Sequence, residues 1–273
     1  MSKLFKQFSF IGTIAFVLYV MPVNAQDIIK IQGAVGEAEI VGKISEEDAR
    51  KQALNNAKVE ALRKAGVGEN IQTYENLFRS ELNNDFTEFF SSDIQTELRG
   101  AIQSYEIVSH RRKVDPVTNL FMVEVTIDAS VILYKSSPDP TFNVKVEGIK
   151  AIYEEGELLT FSLQATQACY LHVFSITDNY TCLLYPNKLE KFQEIKPNQR
   201  MEFPFGNLDY ELFKSGKGID TNRMVFVFTK KPIQFLKHSG GEEQLTASET
   251  IFSWVYSIMP DERNVDYHAF TVR

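Results

Sequence analysis

The chain has 273 residues, of which 44% are hydrophobic, and a formal net charge of −7 at pH 7. A hydrophobic share of this size is ordinary for a globular protein that buries a core. The acidic balance argues against nucleic acid and anionic lipid as main partners, because both bind basic surfaces.

The first 25 residues have the three-part pattern of a secretory signal peptide. Lys3 and Lys6 form a basic start, residues 8–21 are almost wholly apolar, and Val23 and Ala25 stand where a signal peptidase reads. The apolar run is short for a membrane span of about 20 residues, so we predict cleavage after Ala25 and not an uncleaved anchor. Cleavage leaves 248 residues and, because it removes two lysines and no acidic residue, a formal charge of −9. No later run is long enough to predict a transmembrane segment.

A helix with one narrow apolar stripe is predicted after Ser45. Ser45 and Asp48 are spaced as in a capping box, and Gly66 is suited to end the helix in a left-handed conformation. Alanines recur at every fourth position and allow close packing. They are Ala49, Ala53, Ala57, Ala61 and Ala65. A second helix is predicted over about residues 75–90.

Strands follow these helices. Apolar and polar residues alternate from Phe121 to Val131, which predicts a strand with one buried face. A strand over residues 102–111 precedes it, and Asp115-Pro116 predicts the turn of a hairpin between them. A short strand at residues 37–43 is predicted to join this sheet, with the helices on one face.

The chain divides at residues 135–140, where two prolines interrupt any strand ladder. Beyond them, short alternating runs predict a sandwich, and a late helix is predicted from Thr246 to Pro260. The predicted fold class is α+β, an N-terminal antiparallel sheet covered by two helices and then a mostly β sandwich-like domain with one late helix. The predicted units are a signal peptide (1–25), an α/β envelope module (26–134), a linker (135–140) and a β-sandwich-like domain (141–273).

The two cysteines are Cys169 and Cys182. A two-residue turn at Asp178-Asn179 places Cys182 opposite Ser175, and this register argues against a disulfide with Cys169, because the Cα atoms of a disulfide lie within about 7 Å. An exported chain nevertheless permits oxidation, so both states stay open.

Two segments of the second domain stand out, Tyr170-Leu171-His172-Val173-Phe174 and Leu184-Tyr185-Pro186-Asn187. They are similar to the motifs Tyr-Leu-x-Val-Phe and Leu-Tyr-Pro-Asn of the bacterial domain-of-unknown-function family 4384, which the second domain resembles over roughly residues 140–236. Cys169 and Tyr180 stand where that family often has glycine, which bears on the turn type.

Three features of the first domain occur together, namely the alanine-rich helix at residues 45–65, the segment 100–107 and the long strand after it. In these features the first domain resembles the N-terminal domain of flagellar T-ring (FlgT-type) proteins and related envelope lipoproteins. The resemblance implies an envelope module without known catalytic residues, and no flagellar role is inferred from it.

Motifs of catalytic and metal sites are largely missing from the sequence. No two histidines have metal-ligand spacing, the cysteines lack Cys-x-x-Cys spacing, and no Gly-x-Ser-x-Gly turn is present. His172 is interpreted as a hydrogen-bonded core residue. His110 stands beside Arg111, Arg112 and Lys113, a basic run interpreted as solvated, with contact to an anionic polymer as the alternative. We therefore predict no enzymatic activity, metal or cofactor.

Aromatic residues in the loop-rich part of the second domain are the candidate binding site. Aromatics on loops over a rigid sandwich form platforms for sugars or peptides, although they also cap a core from the side. The candidates are Tyr180, Tyr185, Phe192, Phe203, Phe205 and Tyr210.

These observations predict a non-enzymatic protein of the bacterial cell envelope, periplasmic or extracellular, that acts as a protein-interaction or assembly module. Its expected partner is another envelope protein. The alternative is a carbohydrate- or peptidoglycan-binding module that uses the loop aromatics. A third class, an enzyme with a site assembled from scattered acids, predicts carboxylates that converge in a pocket.

Overall fold

The computed structural model describes residues 27–67, 99–177, 181–214, 218–235 and 248–273. Within these ranges the chain is mostly β-structure with two α-helices, which confirms a mixed α and β fold. The predicted signal peptide at residues 1–25 and the predicted second helix at residues 75–90 lie outside the described residues.

The first sheet, here called the N-terminal sheet, has three antiparallel strands. They are β1 (Asp27–Glu39), β2 (Gly100–Val114) and β3 (Phe121–Leu133), in the spatial order β1-β3-β2. The strand predicted at residues 37–43 instead begins at Asp27, and a β-bulge between Ile31 and Ala34 breaks the alternation that would have revealed it. It ends at Glu39, before Gly42 turns the chain with a φ of +62°.

Strands β2 and β3 form the predicted hairpin. The carboxylate of Asp115 accepts hydrogen bonds from the backbone N–H groups of Val117 at 2.7 Å and Thr118 at 2.9 Å. These bonds close the turn and set the register that pairs Val114 with Phe121.

Helix α1 (Glu46–Lys64) begins at Ser45 as predicted, because the Ser45 hydroxyl oxygen accepts the N–H of Asp48 at 3.1 Å. All five alanines of the stripe are buried, and Gly66 follows the helix with a φ of +90°. The small side chains let α1 approach β1 until Gly36 lies against the helix backbone. A Cβ atom at Gly36 would collide with the carbonyl oxygen of Ala53 and the nitrogen of Ala57.

The second half of the chain is a sandwich of two sheets. The smaller sheet has the order β10-β6-β4, and its strands are β4 (Val144–Glu147), β6 (Phe161–Ala165) and β10 (Met201–Phe203). The larger sheet has the order β5-β12-β11-β7-β8, and β9 also pairs with β7. Its strands are β5 (Ile152–Tyr153), β7 (Cys169–Thr177), β8 (Thr181–Tyr185), β9 (Glu194–Ile195), β11 (Asp220–Thr229) and β12 (Arg263–Val272).

The larger sheet is buried on both faces, as predicted for the strand that became β7. Leu171, Val173 and Phe226 on one face share a core with the smaller sheet. Phe174 and Val225 on the other face share a core with helix α2 (Ser248–Ser257). The predicted helix start at Thr246 lies outside the described residues, and Pro260 opens a short 3-10 turn after the helix.

The core under α2 continues into the N-terminal sheet, so the two halves share buried contacts.

Arg263 lies at this junction and is buried. Its guanidinium donates to the carbonyl oxygen of Val255 at 2.9 Å and to that of Ile258, both at the end of α2. A cation at a helix C-terminus is favoured by the helix dipole. The hydroxyl of Tyr134, at the end of β3, donates to the carbonyl of Tyr256 at 2.8 Å. The domain boundary at residues 135–140 stays a prediction.

The cysteine register is the predicted one. Cys182 pairs with Ser175 across β7 and β8, and Cys169 and Cys182 are not joined by a disulfide. Burial raises the pKa of the Cys169 thiol to about 12, so this group stays protonated and is a poor nucleophile.

His172 lies in the core as predicted, but one of its two ring nitrogens lacks the predicted hydrogen bond. The side chain is 1% exposed, and its Nδ1 atom has no hydrogen-bond partner among the described residues. Phe192 and Trp254 place their rings 4.9 and 4.8 Å from the imidazole. Burial among these rings removes the imidazole from water and lowers its pKa to about 4. The ring is therefore held in its neutral form.

The contact at Gly36 predicts a large effect of one methyl group. Gly36→Ala should lower the free energy of unfolding by about 3 kcal/mol, because the helix backbone must move to admit the Cβ atom. Urea unfolding measures the loss. Gly206→Ala is the matched control, since its Cβ would meet only the Glu190 side chain at 3.7 Å. Equal stability of the two variants would refute the close packing of α1 on β1.

The buried imidazole predicts acid-dependent stability. The folded-state pKa of His172 is depressed to about 4 from 6.5, so the unfolded chain takes up this proton first as the pH falls. The free energy of unfolding should therefore drop between pH 6.5 and pH 4, by roughly 3 kcal/mol from this group. His172→Phe should remove that part of the drop, as urea titrations at pH 7 and pH 4 would show. An unchanged pH dependence in His172→Phe would contradict the assignment.

Candidate functional site

The predicted aromatic site divides into buried and half-buried residues. Tyr185 and Phe203 are 1% and 2% exposed, so these two present almost no surface to a ligand. Phe192, Phe205 and Tyr210 are half-buried, and Tyr180 lies outside the described residues. A sugar or peptide platform built from these residues stays a prediction, and among the described members only the half-buried rings are able to contribute contact area.

The rings pack mainly against one another and against the sandwich core. Phe203 stacks on Phe161 of β6, with ring centroids 4.4 Å apart and an interplanar angle of 9°. Phe205 and Tyr210 pack against Phe203 at 5.4 and 4.7 Å. Tyr185 meets Phe205 edge-on at 4.8 Å. This arrangement closes the side of the sandwich, as aromatic rings do in cores.

Polar groups hold the same loop region together. The amide oxygen of Asn187 accepts the backbone N–H groups of Leu189 and Glu190, each at 2.8 Å. The amide nitrogen of Asn187 donates to the carbonyl of Leu184 at 2.9 Å and to the Tyr210 hydroxyl at 2.7 Å. The Asn side chain therefore fixes the turn after the Leu-Tyr-Pro-Asn segment.

Glu190 completes this network and is a buried carboxylate, 4% exposed. One of its oxygens accepts the N–H of Gly206 at 3.0 Å, and the other accepts the hydroxyl of Tyr210. Burial, together with the hydrogen bond to Glu190, raises the pKa of the Tyr210 hydroxyl. Both carboxylate oxygens are engaged within the loop, which suits a structural role and leaves this acid poorly placed to accept a substrate proton.

The basic run at residues 110–113 is the second candidate surface. Arg111 and Lys113 bind opposite oxygens of Glu124 at 2.7 and 2.9 Å, and Lys113 also binds Glu37 at 2.5 Å. These donors, Arg111 first, hold the pKa of the Glu124 carboxyl well below its usual range. Two of the three cations are thus neutralised within the sheet, so the run is not a uniformly positive surface.

Arg112 lies on the opposite face of the sheet from these pairs. Its guanidinium lies over the ring of Phe121 at 4.1 Å and makes a long contact to Glu46 at 3.5 Å. A groove of about 360 Å³ separates this part of β2 from the first turn of α1. Its walls include Glu46, Glu47 and Arg50 of α1 and His110, Arg111 and Arg112 of β2.

The ion-pair network was not foreseen from the sequence, although the hairpin was. The turn at Asp115 fixes the register, and that register sets Arg111 opposite Glu124, which in turn stands opposite Glu37 of β1. Counting residues back from the turn would have identified the pair of Arg111 with Glu124. The position of Glu37 beside them depends on the pairing of β1 with β3, which are far apart in the sequence. Among the described residues, no group of three or more His, Cys, Asp or Glu side chains is placed to hold a metal ion.

The Glu190 network predicts a structural cost for loss of one hydroxyl. Tyr210→Phe should lower the free energy of unfolding by about 2 kcal/mol, because the buried Glu190 carboxylate loses a donor. Chemical denaturation gives the value. Tyr170→Phe is the matched control, since Tyr170 is also a half-buried tyrosine packed against another ring but lies outside the Glu190 network, and it should change stability by less than about 0.5 kcal/mol. A Tyr210→Phe protein as stable as wild type would show that the loop does not depend on this bond.

Comparison with known proteins agrees with part of this picture. No curated protein matches the chain. A family model described as a domain of unknown function (DUF4384) matches residues 152–232, which span β5 to the end of β11 and contain the Asn187, Glu190 and Tyr210 network. The resemblance predicted for the second domain is therefore confirmed, and that of the first domain to FlgT-type proteins stays a prediction. Residues 152–232 of this chain are a domain similar to that family.

Proposed function

We propose that this chain is a non-enzymatic exported protein of the bacterial cell envelope that acts as a protein-interaction or assembly module. The signal-peptide pattern of residues 1–25 supports export. No helix in the described ranges is both long and apolar enough to cross a membrane. The resemblance of the first domain to envelope proteins supports the same location.

The proposed interaction role rests on one observation, which is that the β2–β3 hairpin has exposed apolar side chains. Val117 at the turn is 90% exposed, and Val108, Phe121 and Val114 are 58%, 50% and 46% exposed. Val114 and Phe121 are directly paired, so the apolar surface continues across both strands. Val114, Val117 and Phe121 are therefore grouped at the turn end of the hairpin, and exposed apolar side chains grouped in this way are typical of a surface that contacts another protein.

The buried ionisable groups support a non-enzymatic role, because the fold itself uses them. Glu190 accepts two hydrogen bonds within its loop, and Glu124 binds two cations of the neighbouring strand. His172 is enclosed by aromatic rings and is kept neutral. Each group is thus committed to packing or to a local ion pair, and none of the three faces the groove beside α1.

Affinity capture tests the proposal. Tagged mature protein is incubated with envelope extract, and co-eluting molecules are identified by mass spectrometry. We expect enrichment of a specific envelope protein over a tag-only control. Val117→Glu should reduce its recovery about tenfold, because a charge is placed within the apolar contact surface. Leu189→Glu is the matched control, since Leu189 is 75% exposed but lies in the sandwich.

Three outcomes decide between the functions. Enrichment that depends on Val117 and not on Leu189 supports the interaction module. Recovery of cell-wall glycan alone supports the carbohydrate-binding alternative, and Phe192→Ala or Phe205→Ala should then weaken it. If neither an envelope protein nor cell-wall glycan is enriched, the proposal is wrong.

A further inference from the structure

Helix α2 is packed against both halves of the chain. Its side chains Ile251 and Val255 share one buried core with Phe174 of the larger sheet and with residues of the N-terminal sheet. The carbonyl of Tyr256 also accepts the hydroxyl of Tyr134, at the end of β3, at 2.8 Å. A change that released α2 from the larger sheet would therefore also open the contact between the two halves.

His172 of β7 lies beneath this helix. Its imidazole is 1% exposed and lies on the same side of the sheet as Phe174, because alternate residues of a strand share a face. Trp254 of α2 places its ring 4.8 Å from the imidazole, at an interplanar angle of 65°, and Phe192 lies at 4.9 Å. The imidazole is therefore separated from water in part by α2 itself.

Polar atoms in this interface lack hydrogen bonds. Neither Nδ1 of His172 nor Nε1 of Trp254 makes a hydrogen bond to the described residues. The core between the two sheets differs, because the hydroxyls of Tyr153 and Tyr185 are each hydrogen-bonded to the backbone at 3.0 Å. A buried polar atom without a partner destabilises the interface that encloses it. This cost falls on the cover by α2 and not on the cover by the smaller sheet.

Neighbouring charges do not compensate a proton on His172. Burial is the cause that lowers the pKa of this imidazole, to about 4, and no neighbouring charge offsets it. Lys191 adjoins Phe192 and is exposed. The described charged or titratable groups on the α2 side of the larger sheet, or on α2, are Tyr170 of β7, Glu194 of β9, Arg223 of β11, Arg263 and Tyr267 of β12, and Tyr256.

We propose that protonation of His172 releases helix α2 from the larger sheet, so that acid opens the contact between the two halves of the chain while the sandwich stays folded. The imidazole takes up a proton from solvent and becomes a cation that the aromatic enclosure cannot pair. Helix α2 is suited to such a release, because it has ten residues and so short a helix is marginal in water without packing partners. This inference goes beyond the proposed interaction function and does not depend on it.

The direction and size of the effect follow from the two states of the imidazole. With α2 in place the pKa of His172 is about 4, and with α2 released it returns to 6.5, so the released form takes up the proton first as the pH falls. The equilibrium constant for release should therefore rise about twentyfold from pH 7 to pH 5 and about a hundredfold from pH 7 to pH 4.

Amide hydrogen exchange of the full chain, followed by NMR at pH 7 and pH 5, tests the release. After correction for the pH dependence of intrinsic exchange, the amides of Phe252, Val255 and Tyr256 should exchange about twentyfold faster at pH 5. Low concentrations of urea separate release from global unfolding. Exchange of these α2 amides should hardly respond to urea, because local release exposes little surface, whereas exchange of β6 amides should accelerate with it.

Two variants identify the titrating group. His172→Phe keeps an aromatic ring under α2 but cannot take up a proton, so the twentyfold acceleration should disappear. Tyr170→Phe is the matched control on the same face of the same strand and should keep the acceleration. His172→Gln, which is also uncharged, replaces His172→Phe if that variant does not fold.

Two results would overturn the release. One is a folded His172 variant whose α2 amides still accelerate about twentyfold from pH 7 to pH 5. The other is wild-type protein in which α2 and β6 amides exchange at equal rates and respond equally to urea, since α2 would then open only when the whole chain unfolds. Capture of an envelope protein from extract bears on neither result, so the proposed function is tested separately.

Discussion

The architecture depends on one constraint, which is that the larger sheet must be covered on both faces. Strands β7 and β11 carry apolar side chains at successive positions, so neither face can be left in water without a cost of about 25 cal/mol for each Å² exposed. The smaller sheet covers one face through Phe161 and Leu163, and helix α2 covers the other through Ile251, Phe252 and Val255. Because α2 also lies against β2, the cover of the sandwich is part of the N-terminal core as well.

Local patterns in the sequence were sufficient to predict much of the fold. The alanine repeat predicted α1 and its buried face, because apolar residues at every fourth position lie on one face of a helix, whose period is 3.6 residues. The turn predicted at Asp178-Asn179 lies outside the described residues, but the pairing of Cys182 with Ser175 that it implied is observed, since a short turn sets the register of both its strands. The start of β1 was missed because a bulge between Ile31 and Ala34 interrupts the period of two. The contact of α2 with β2 joins residues far apart in the chain, and periodicity holds no information about such pairs.

The candidate site shows the same division between local and long-range information. Aromatic residues in the loops of the second domain were identified by type, but a sequence does not distinguish a ring that caps a core from one that faces solvent. Tyr185 and Phe203 proved to be buried because Phe161 and Phe205 pack against them across strands and loops that are distant in the chain. Arg112, in contrast, was visible as part of a basic run, and the period of two in a strand places it on the opposite face from Arg111. Its contact with Phe121 required the register of the hairpin.

Helix α1 occupies two carbonyl groups of β1. Asn56 donates to the carbonyl of Glu37, and Lys64 donates to the carbonyl of Gly33. Both bonds depend on the close approach of α1 to β1 at Gly36, so a change that moved the helix away would uncover these acceptors together with the strand that carries them. An uncovered edge strand is a template for pairing with another chain, so the packing of α1 also protects the sheet against aggregation.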